Sequence, residues 1–521
     1  MKKCTISILA LAVALMIAAL AGCTSPAAPT NAPASAPAAS AQSSATTEAT
    51  PAPSLDPVKL TWYCMLGNPQ PDQDMVFAKF SEYTKEKINA EVDIKVLDWS
   101  GYTQKMQAIT ASGEEFDLAW LCNWSNPLYS DLANKGALVP IDDLLSKYAP
   151  QTLAFMNQNI WDGMKINGKI YGVPCYQQLT LQRGWWIRKD IADKYNFDPK
   201  SFKTVTDLEP FYDAVVAGEP DLIPIAASGT YIWHFAMGPW PDNSGRKQLQ
   251  ADICCGLSVF ESNPTVTENE YDSSTNAGKI TDAMINLARK WYEKKYVRSD
   301  MLTITDINAE IKTGRYVSGF SPIAPSSAVD FKAKNGFEIY EIPLETPKLA
   351  NGQPTVLCVS ATSKSPERTL MLIELLNTDK YLYNLICYGI EGTHYTKIGE
   401  NRITLVDKSG YNPDINWALG NTAISYLEPG QPDDLNEQVK NLNDTGVPAF
   451  MPDWSFNDEK VKNEATACAA LWTEYGNPLM AGVLDPATKY PEFKEKLKAA
   501  GIDALQAEVK AQFQTYLDAH K

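Results

Sequence analysis

The chain has 521 residues, of which 45% are hydrophobic and 21% are charged, the composition of a large folded protein with more than one core. Its formal net charge is −16, and no dense basic run interrupts that acidity. This charge argues against a nucleic-acid-binding protein and against adhesion to anionic lipid.

The N-terminus has the order of a bacterial export signal. Two lysines precede the apolar run 6–20, and Leu20-Ala21-Gly22-Cys23 closes that run with small residues. The tetrad resembles the lipobox, in which cleavage before the cysteine leaves a lipid-carrying N-terminus. Residues 1–22 are therefore the predicted signal peptide, and Cys23 is the predicted lipidation site. A chance cysteine beside an ordinary cleavage site is the alternative.

Residues 23–57 are almost all Ala, Pro, Ser and Thr. Such a segment buries too little apolar surface to offset its chain entropy, so we predict a disordered tether. The tether keeps the body near a membrane to which only the lipid anchor binds it. No later segment has the roughly twenty uninterrupted apolar residues that a transmembrane helix needs.

Strands and helices alternate from the start of the body. Strands are predicted at 58–63, 91–96 and 116–121, and amphipathic helices are predicted between them, the second ending at Gly113. This alternation predicts a parallel sheet covered on both faces, as in α/β proteins. Ligands of such sheets bind beyond the carboxyl ends of the strands.

The alternation continues to the C-terminus. We predict a short strand at 223–226, a helix capped by Asp306, and a helix capped by Ser365 with Pro366 at its first position. Two further helices are predicted from apolar stripes, which comprise Ile280, Met284, Leu287 and Trp291, and then Leu505, Val509, Phe513 and Tyr516.

The body has eight cysteines without the dense spacing of a disulfide framework and without a CxxC pair. We predict buried free thiols, with disulfides as the alternative, because Cys358 and most of the others lie in apolar company. The eight are Cys64, Cys122, Cys175, Cys254, Cys255, Cys358, Cys387 and Cys468.

No cofactor or metal site is predicted, because the chain has three histidines, His234, His394 and His520, and no metal-ligand spacing. No HExxH, GxSxG or P-loop motif is present, so the chain is predicted not to be an enzyme. A glycosidase pair of carboxylates stays open as an alternative, since acidic residues are abundant.

A series of motifs resembles family 1 of the extracellular solute-binding proteins, the group that includes maltose-binding protein. The matching segments occur in the order of that family and are 116–120, 135–144, 167–174, 186–190, 204–208 and Gly314-Arg315. Beyond about residue 390 the chain resembles long Gram-positive lipoproteins whose C-terminal region is a separately named domain of unknown function.

The resemblance implies a two-lobed α/β fold of the periplasmic-binding-protein type, type II, in which each lobe is a sheet flanked by helices. The first lobe is expected at 58–175 and 320–378, and the second at 176–319 and 379–521, with a hinge between them. The implied function is that of a monomeric receptor that captures a sugar or oligosaccharide between closing lobes for the permease subunits of an ABC importer. A peptide receptor, a surface module without a transporter and a surface carbohydrate-active enzyme are the alternatives.

Sugar sites combine flat aromatic rings with polar groups that satisfy hydroxyls. Trp120, Asn123 and Trp124 follow a predicted strand end and are the leading candidates, with burial of Trp120 in the core as the alternative. The further candidates end the first strand, follow the expected crossover, or lie in aromatic and amide-rich segments: Tyr63, Tyr176, Gln177, Trp185, Trp233, His394 and Trp417. A structural position is the alternative for Tyr176 and Gln177, and a core position is the alternative for Trp233 and Trp417.

Overall fold

The structure is a computed structural model that describes residues 55–66, 70–123, 128–229, 231–232, 246–249, 255–350, 355–448, 450–451 and 454–520. The predicted signal peptide, Cys23 and nearly all of the predicted tether lie outside these residues and stay predictions. Residues Leu55–Lys521 form one compact unit of the chain. In the part that is described, no helix has both the length and the apolar character needed to cross a membrane.

Most of the described strands are short. They are β1 (Val58–Met65), β2 (Ala90–Leu97), β3 (Leu118–Leu121), β4 (Lys165–Ile166), β5 (Lys169–Ile170), β6 (Gly172–Pro174), β7 (Thr180–Arg188), β8 (Ile223–Ala226), β9 (Arg246–Gln248), β10 (Leu257–Phe260), β11 (Asn263–Asn269), β12 (Tyr316–Ile323), β13 (Ile339–Pro343), β14 (Lys348–Leu349), β15 (Val356–Val359), β16 (Tyr395–Lys397), β17 (Ile403–Leu405) and β18 (Val447–Pro448).

The α-helices flank the two main sheets and fill the C-terminal region. They are α1 (Gln73–Ile88), α2 (Tyr102–Ser112), α3 (Leu128–Asn134), α4 (Asp142–Tyr148), α5 (Pro150–Phe155), α6 (Gln158–Gly163), α7 (Lys189–Lys194), α8 (Glu209–Gly218), α9 (Asn276–Glu293), α10 (Ile307–Ile311), α11 (Ser327–Asn335), α12 (Pro366–Thr378), α13 (Lys380–Tyr388), α14 (Leu435–Thr445), α15 (Lys462–Leu471), α16 (Asn477–Met480), α17 (Pro486–Ala499) and α18 (Ile502–Ala519).

The first sheet has the strand order β2-β1-β3-β15-β6. Strand β1 pairs in parallel with β2 and β3, which confirms the predicted parallel arrangement, and β15 is antiparallel to both β3 and β6. The carboxyl ends of β1, β2 and β3 therefore share one edge. Strand β6 runs in the same direction as β3, so it also ends at this edge.

The second sheet has the order β18-β14-β7-β12-β8, and β13 also pairs with β7. Strand β12 is parallel to β8 and antiparallel to β7. Trp185 belongs to a large core on this sheet, and Trp186, the next residue along β7, belongs to a smaller apolar cluster. Because successive side chains of a strand point to opposite faces, both faces of this sheet are covered.

Local signals set several helix ends where the sequence predicts them. Helix α2 ends at Ser112, and the capping residue that follows, Gly113, has a left-handed φ of 71° that suits glycine. Asp306 caps α10 by accepting from the backbone N–H groups of Asn308 and Ala309. Helix α12 begins at Pro366 as predicted, but the side chain of Ser365 makes no capping hydrogen bond.

Two apolar cores divide the body differently from the predicted lobes. The first core contains buried residues between 60 and 179 and between 349 and 426, and the second contains buried residues between 185 and 344 and between 451 and 513. The boundary predicted at 320 therefore cuts through β12, which lies wholly in the second sheet.

The segment after α12 also departs from the predicted division. Helix α13 buries Leu382, Tyr383 and Ile386 in the first core, whereas residues 379–521 were all predicted to belong to the second lobe. The reason is that α13 packs against α1 and α12, which cover the first sheet. The packing supports a return to the first core near Val356 and a final exit after Tyr426.

Candidate functional site

Three tryptophans meet at the carboxyl edge of the first sheet, and we call Trp99, Trp120 and Trp417 the aromatic corner. Ring centroids of Trp99 and Trp120 lie 6.0 Å apart at an interplanar angle of 37°. The ring of Trp417 is nearly perpendicular to both, at 77° and 79°, with centroid distances of 6.3 and 6.0 Å. Two walls of indole rings therefore meet at close to a right angle.

Each ring of the aromatic corner is positioned by a different element. Trp99 begins the 3-10 turn Trp99–Gly101 directly after β2, Trp120 lies in β3, and Trp417 lies in the 3-10 helix Asn416–Ala418. The hydroxyl of Tyr102 donates to the backbone oxygen of Trp120 at 2.7 Å, and its ring packs edge-on against the indole at 5.5 Å. These two contacts with Tyr102 fix the position of Trp120.

The three rings differ in exposure. Trp99 is 44% exposed, Trp417 is half-buried and Trp120 is 3% exposed. A ligand at this edge therefore contacts the ring of Trp99 first, and the buried ring of Trp120 supports that of Trp99. Trp120 is one of the leading candidates for ligand binding in the sequence analysis. Its burial agrees with the alternative that it is a core residue, although its ring is part of the aromatic corner.

Trp99 is a functional candidate that the sequence patterns did not single out. It follows the end of β2, as Trp120 lies near the end of β3, so the rule that ligands bind beyond strand ends applies to both. The sequence signal for it is the Leu97-Asp98-Trp99 segment at the end of the second predicted strand.

Three of the predicted ligand-binding side chains are buried and form hydrogen bonds within the protein: Tyr63, Trp185 and His394. The Tyr63 hydroxyl donates to Glu114, and burial, followed by this hydrogen bond, raises the pKa of Tyr63 to about 12. The Trp185 indole N–H donates to the hydroxyl of Tyr212 at 3.0 Å within the second core. These contacts remove Tyr63 and Trp185 from the ligand candidates.

His394 connects a loop to the first core. Its Nδ1 accepts from the backbone N–H of Ile390 at 2.8 Å, so its proton lies on Nε2 and faces Asp72 Oδ2 at 3.2 Å. The backbone N–H of Asp72 also donates to the backbone oxygen of Gly410 at 3.0 Å. His394 therefore stabilises the position of the segment that follows β1. This structural role removes it from the ligand candidates.

The side chain of Asn123 forms hydrogen bonds with the first turn of α3. Its Oδ1 accepts from the backbone N–H of Ser130 at 3.1 Å, and its Nδ2 lies 2.6 Å from the Ser130 hydroxyl. These contacts position the chain after β3, which gives Asn123 a structural role beside the carboxyl edge. Trp124 and Trp233 lie outside the described residues, so their candidacy stays a prediction.

Tyr176 and Gln177 belong to the chain that crosses from β6 to β7. Tyr176 is buried, its backbone oxygen accepts from the backbone N–H of Thr422 at 2.8 Å, and burial raises the pKa of its hydroxyl to about 12. The Gln177 amide donates to Thr355 Oγ1 at 2.9 Å. Both residues stabilise the segment between β6 and β7, and neither is part of the aromatic corner.

A cavity of about 960 Å³ lies away from the aromatic corner. It is lined by Lys165 and Asn167 of the β4–β5 hairpin and by Trp454 and Tyr516 of the C-terminal region. Strand β6 begins two residues after this hairpin and ends at the carboxyl edge, so the hairpin lies at the opposite, amino edge of the sheet. By the rule for α/β sheets, the aromatic corner is the better ligand site.

The described residues hold no group of three or more His, Cys, Asp or Glu side chains arranged for a metal ion. Seven of the body cysteines are described, and all are buried thiols outside any disulfide, as their apolar surroundings predicted. Cys254 lies outside the described residues.

Comparison with protein families gives the class of the protein. Residues 78–386 match the family described as "Bacterial extracellular solute-binding protein". The chain therefore belongs to the bacterial extracellular solute-binding proteins, and it is a binding protein and not an enzyme. Residues 451–518 match a second family, "Domain of unknown function (DUF3502)", which confirms the predicted resemblance of the C-terminal region to a separately named domain of unknown function.

Two curated relatives cover most of the chain. A carbohydrate ABC transporter substrate-binding protein of Streptococcus pneumoniae serotype 4 is 26% identical over 465 residues, which span 87% of this chain and 90% of the relative. The polygalacturonan/rhamnogalacturonan-binding protein YtcQ of Bacillus subtilis is 28% identical over 379 residues, or 66% of this chain and 68% of the relative.

Solved structures confirm the fold. The N-glycan transport solute binding protein NgtS of Streptococcus pneumoniae superposes with a TM-score of 0.75 at 24% identity, covering 89% of this chain and all of that one. The alginate-binding protein AlgQ2 gives a TM-score of 0.60 at 15% identity, covering 88% of this chain and 98% of that one. The predicted type II solute-binding fold is therefore correct.

Proposed function

We propose that this protein is the extracytoplasmic receptor of an ABC importer and that it captures an oligosaccharide against the aromatic corner. The observation that carries the proposal is the exposed indole of Trp99, backed by Trp120 and flanked by Trp417 at the carboxyl edge of a parallel sheet. Sugar rings present apolar C–H faces, and flat aromatic side chains cover such faces at little conformational cost.

Capture in this proposal involves two lobes. The first comprises residues 58–179 and 349–426, and the second comprises residues 185–344 and 451–513, in agreement with the two cores. A solute that contacts both lobes only in the closed form stabilises that form by its difference in affinity for the two states. The permease subunits of the importer then recognise the closed form.

The relatives support a sugar as the solute. One is a carbohydrate ABC transporter substrate-binding protein, and NgtS has been crystallised with Man1GlcNAc and with Man5GlcNAc. A peptide is the alternative solute. A peptide site needs partners for a repeating backbone of N–H and C=O groups, whereas the described part of this site presents mainly indole rings.

The proposal includes a lipid anchor and a monomeric state. Cleavage before Cys23 would leave a lipid on the new N-terminus, and residues 24–54 would link it to the body. A Cys23→Ala variant should be released into the medium or accumulate as uncleaved precursor. A mature-sized variant that partitions into detergent like the wild type would contradict lipidation.

The binding site is tested by Trp99→Ala in the purified protein. A thermal-shift screen with manno-, malto-, xylo- and fructo-oligosaccharides first identifies a sugar, since a ligand at a hundredfold its Kd adds about 2.7 kcal/mol of stability. Loss of the Trp99 surface should then cost about 1.5–3 kcal/mol of binding free energy, or roughly ten- to a hundredfold in Kd. The melting temperature without ligand should change little.

Tyr381→Ala provides the matched control, because Tyr381 is 48% exposed but packs on Tyr83 in the third turn of α1, away from the strand ends. Its Kd should equal that of the wild type. Wild-type affinity in Trp99→Ala would refute the aromatic corner as the binding site, and the absence of any bound sugar would refute the proposed function.

A further inference from the structure

The cavity of about 960 Å³ beside the β4–β5 hairpin, which we call the hairpin cavity, lies between the two cores. One wall contains Asp162 of α6 together with Lys165 and Asn167 of the hairpin, whose Ile166 is buried in the first core. The other wall contains residues of α18 and of the segment after β18, which pack on the second core. A ligand in the hairpin cavity would therefore contact both cores.

The two walls of the hairpin cavity begin at one contact. Asn157 Nδ2 donates to the backbone oxygen of Asn443 at 2.9 Å, and the Asn443 amide in turn binds the chain that enters β7. From Asn157 the chain continues into α6, and from Asn443 it continues through β18 to Phe450, which also lines the cavity. The contact that joins the two cores therefore also fixes the position of both walls.

An aromatic cluster forms part of the second wall. The Trp454 indole N–H donates to the backbone oxygen of Leu249 at 2.8 Å. The Trp454 ring lies 5.1 Å from that of Phe513 at 84° and 5.5 Å from that of Tyr516 at 73°. Trp454 is thus fixed by its contacts while it stays only half-buried and lines the cavity. A fixed, partly exposed ring covers the apolar face of a sugar at little conformational cost.

Polar groups accompany these rings on one face of α18. Gln512, Thr515, Tyr516 and Ala519 line the hairpin cavity, and their spacing of three and four residues places them on one helix face about 10 Å long. The opposite wall adds the amide of Asn167. Amides and hydroxyls both donate and accept, so they match the hydroxyl groups of a ligand.

A smaller cavity of about 290 Å³ adjoins the hairpin cavity. Asn167, Ser455 and Gln512 line both of them, and Asn134 and Asn457 add two further amide side chains to the smaller one. The larger cavity alone is near the upper end of the roughly 300–1,000 Å³ of small-molecule sites. The joined space therefore suits a chain of several units with apolar faces and many hydroxyls.

We propose that the hairpin cavity is a second saccharide-binding site, separate from the aromatic corner, and that Trp454 is its stacking surface. The hairpin lies at the amino edge of the first sheet, whereas the aromatic corner lies at the carboxyl edge, so the two ligands would occupy different surfaces. Lys165 Nζ lies 2.7 Å from Asp162 Oδ1, so these two charges of the first wall offset each other and an uncharged oligosaccharide is the expected ligand.

Titration calorimetry on the purified protein tests the second site, with the manno-, malto-, xylo- and fructo-oligosaccharides as probes. Thr515→Trp places a large side chain in the hairpin cavity from an exposed position, so the fold and the melting temperature should match those of the wild type. Binding at the hairpin cavity should weaken at least about tenfold, or about 1.4 kcal/mol. Trp99→Ala should leave this binding event unchanged.

Ala507→Trp is the matched control. Ala507 is exposed about two turns earlier on α18, outside the cavity lining, so the same side chain added there should leave every Kd unchanged. Trp454→Ala removes the proposed stacking surface and should weaken the same binding event as Thr515→Trp. Wild-type affinity in Trp454→Ala would contradict its role as the stacking surface.

The inference is overturned if Thr515→Trp binds every probe as the wild type does, or if Ala507→Trp reproduces its effect. A single binding event that both Trp99→Ala and Thr515→Trp weaken would also overturn it, because two separate sites respond separately. Binding that Thr515→Trp weakens and Trp99→Ala does not, with no other binding event, would refute the aromatic corner and leave the second site standing. Failure of all probes to bind would contradict both proposals.

Discussion

Asn443 is the side chain on which the crossing between the two cores depends. It is fully buried on α14, and its Oδ1 accepts from the backbone N–H groups of Leu179 and Thr180 at 2.8 and 2.9 Å. Its Nδ2 donates to the backbone oxygen of Gln177 at 2.7 Å. One amide therefore satisfies three backbone groups where the chain enters β7.

The Asn443→Ala variant should lose much of the stability of the crossing. It leaves two buried N–H groups and one carbonyl without this partner, and each unsatisfied buried group costs about 1–3 kcal/mol. Partial access of water lowers the sum, so we expect a loss of about 3–5 kcal/mol in the free energy of unfolding. Urea titration followed by circular dichroism measures this quantity.

Two variants on the same helix serve as comparisons. Asn441→Ala changes an exposed residue and should alter the free energy of unfolding by less than about 0.5 kcal/mol. Asn443→Asp keeps both acceptor contacts and loses the donor to Gln177, so its stability should lie between those of the wild type and the alanine variant. A loss below about 1 kcal/mol in Asn443→Ala would refute the reasoning.

Further predictions concern the cores and the titrating groups. Trp291→Ala should cost about 3–5 kcal/mol of stability in urea titration, because Trp291 is fully buried in the second core; a loss under about 1 kcal/mol would argue against that packing. The folded pKa of Glu428 is raised, so its ionisation opposes folding above that pKa; Glu428→Gln should therefore be more stable than wild type at neutral pH, with the difference vanishing as the pH falls below the ordinary glutamate value. Burial raises the pKa of Cys64 to about 12, so peptide mapping should find it unlabelled by iodoacetamide in the native protein at pH 8 and labelled in urea.

Local patterns were sufficient to predict most regular elements. The alternation of 91–96, the apolar stripe of α9 and the glycine at the end of α2 act within one or two turns of chain, so their outcome does not depend on distant residues. The same patterns, with the family motifs, predicted the parallel first sheet and the solute-binding fold. They also directed attention to Trp120 and Trp417, which the structure brings together with Trp99.

Local patterns did not predict which face of a buried strand a side chain occupies. The second half of β1 and the central part of β7 are buried on both faces, so their sequences carry no polar and apolar alternation, and Tyr63 and Trp185 are buried. His394 became a structural residue because Asp72, distant in the chain, lies beside it. Such contacts depend on packing between remote segments.

The amino-acid sequence by itself determined the class of protein, the order of its elements and the edge of the first sheet at which a ligand should bind. The tertiary structure alone decided that 382–426 packs on the first core and that Trp99 is the exposed ring of the aromatic corner. The physical reason is range: periodicity and capping act between neighbours in the chain, whereas burial and charge pairing depend on which distant segments the fold brings into contact.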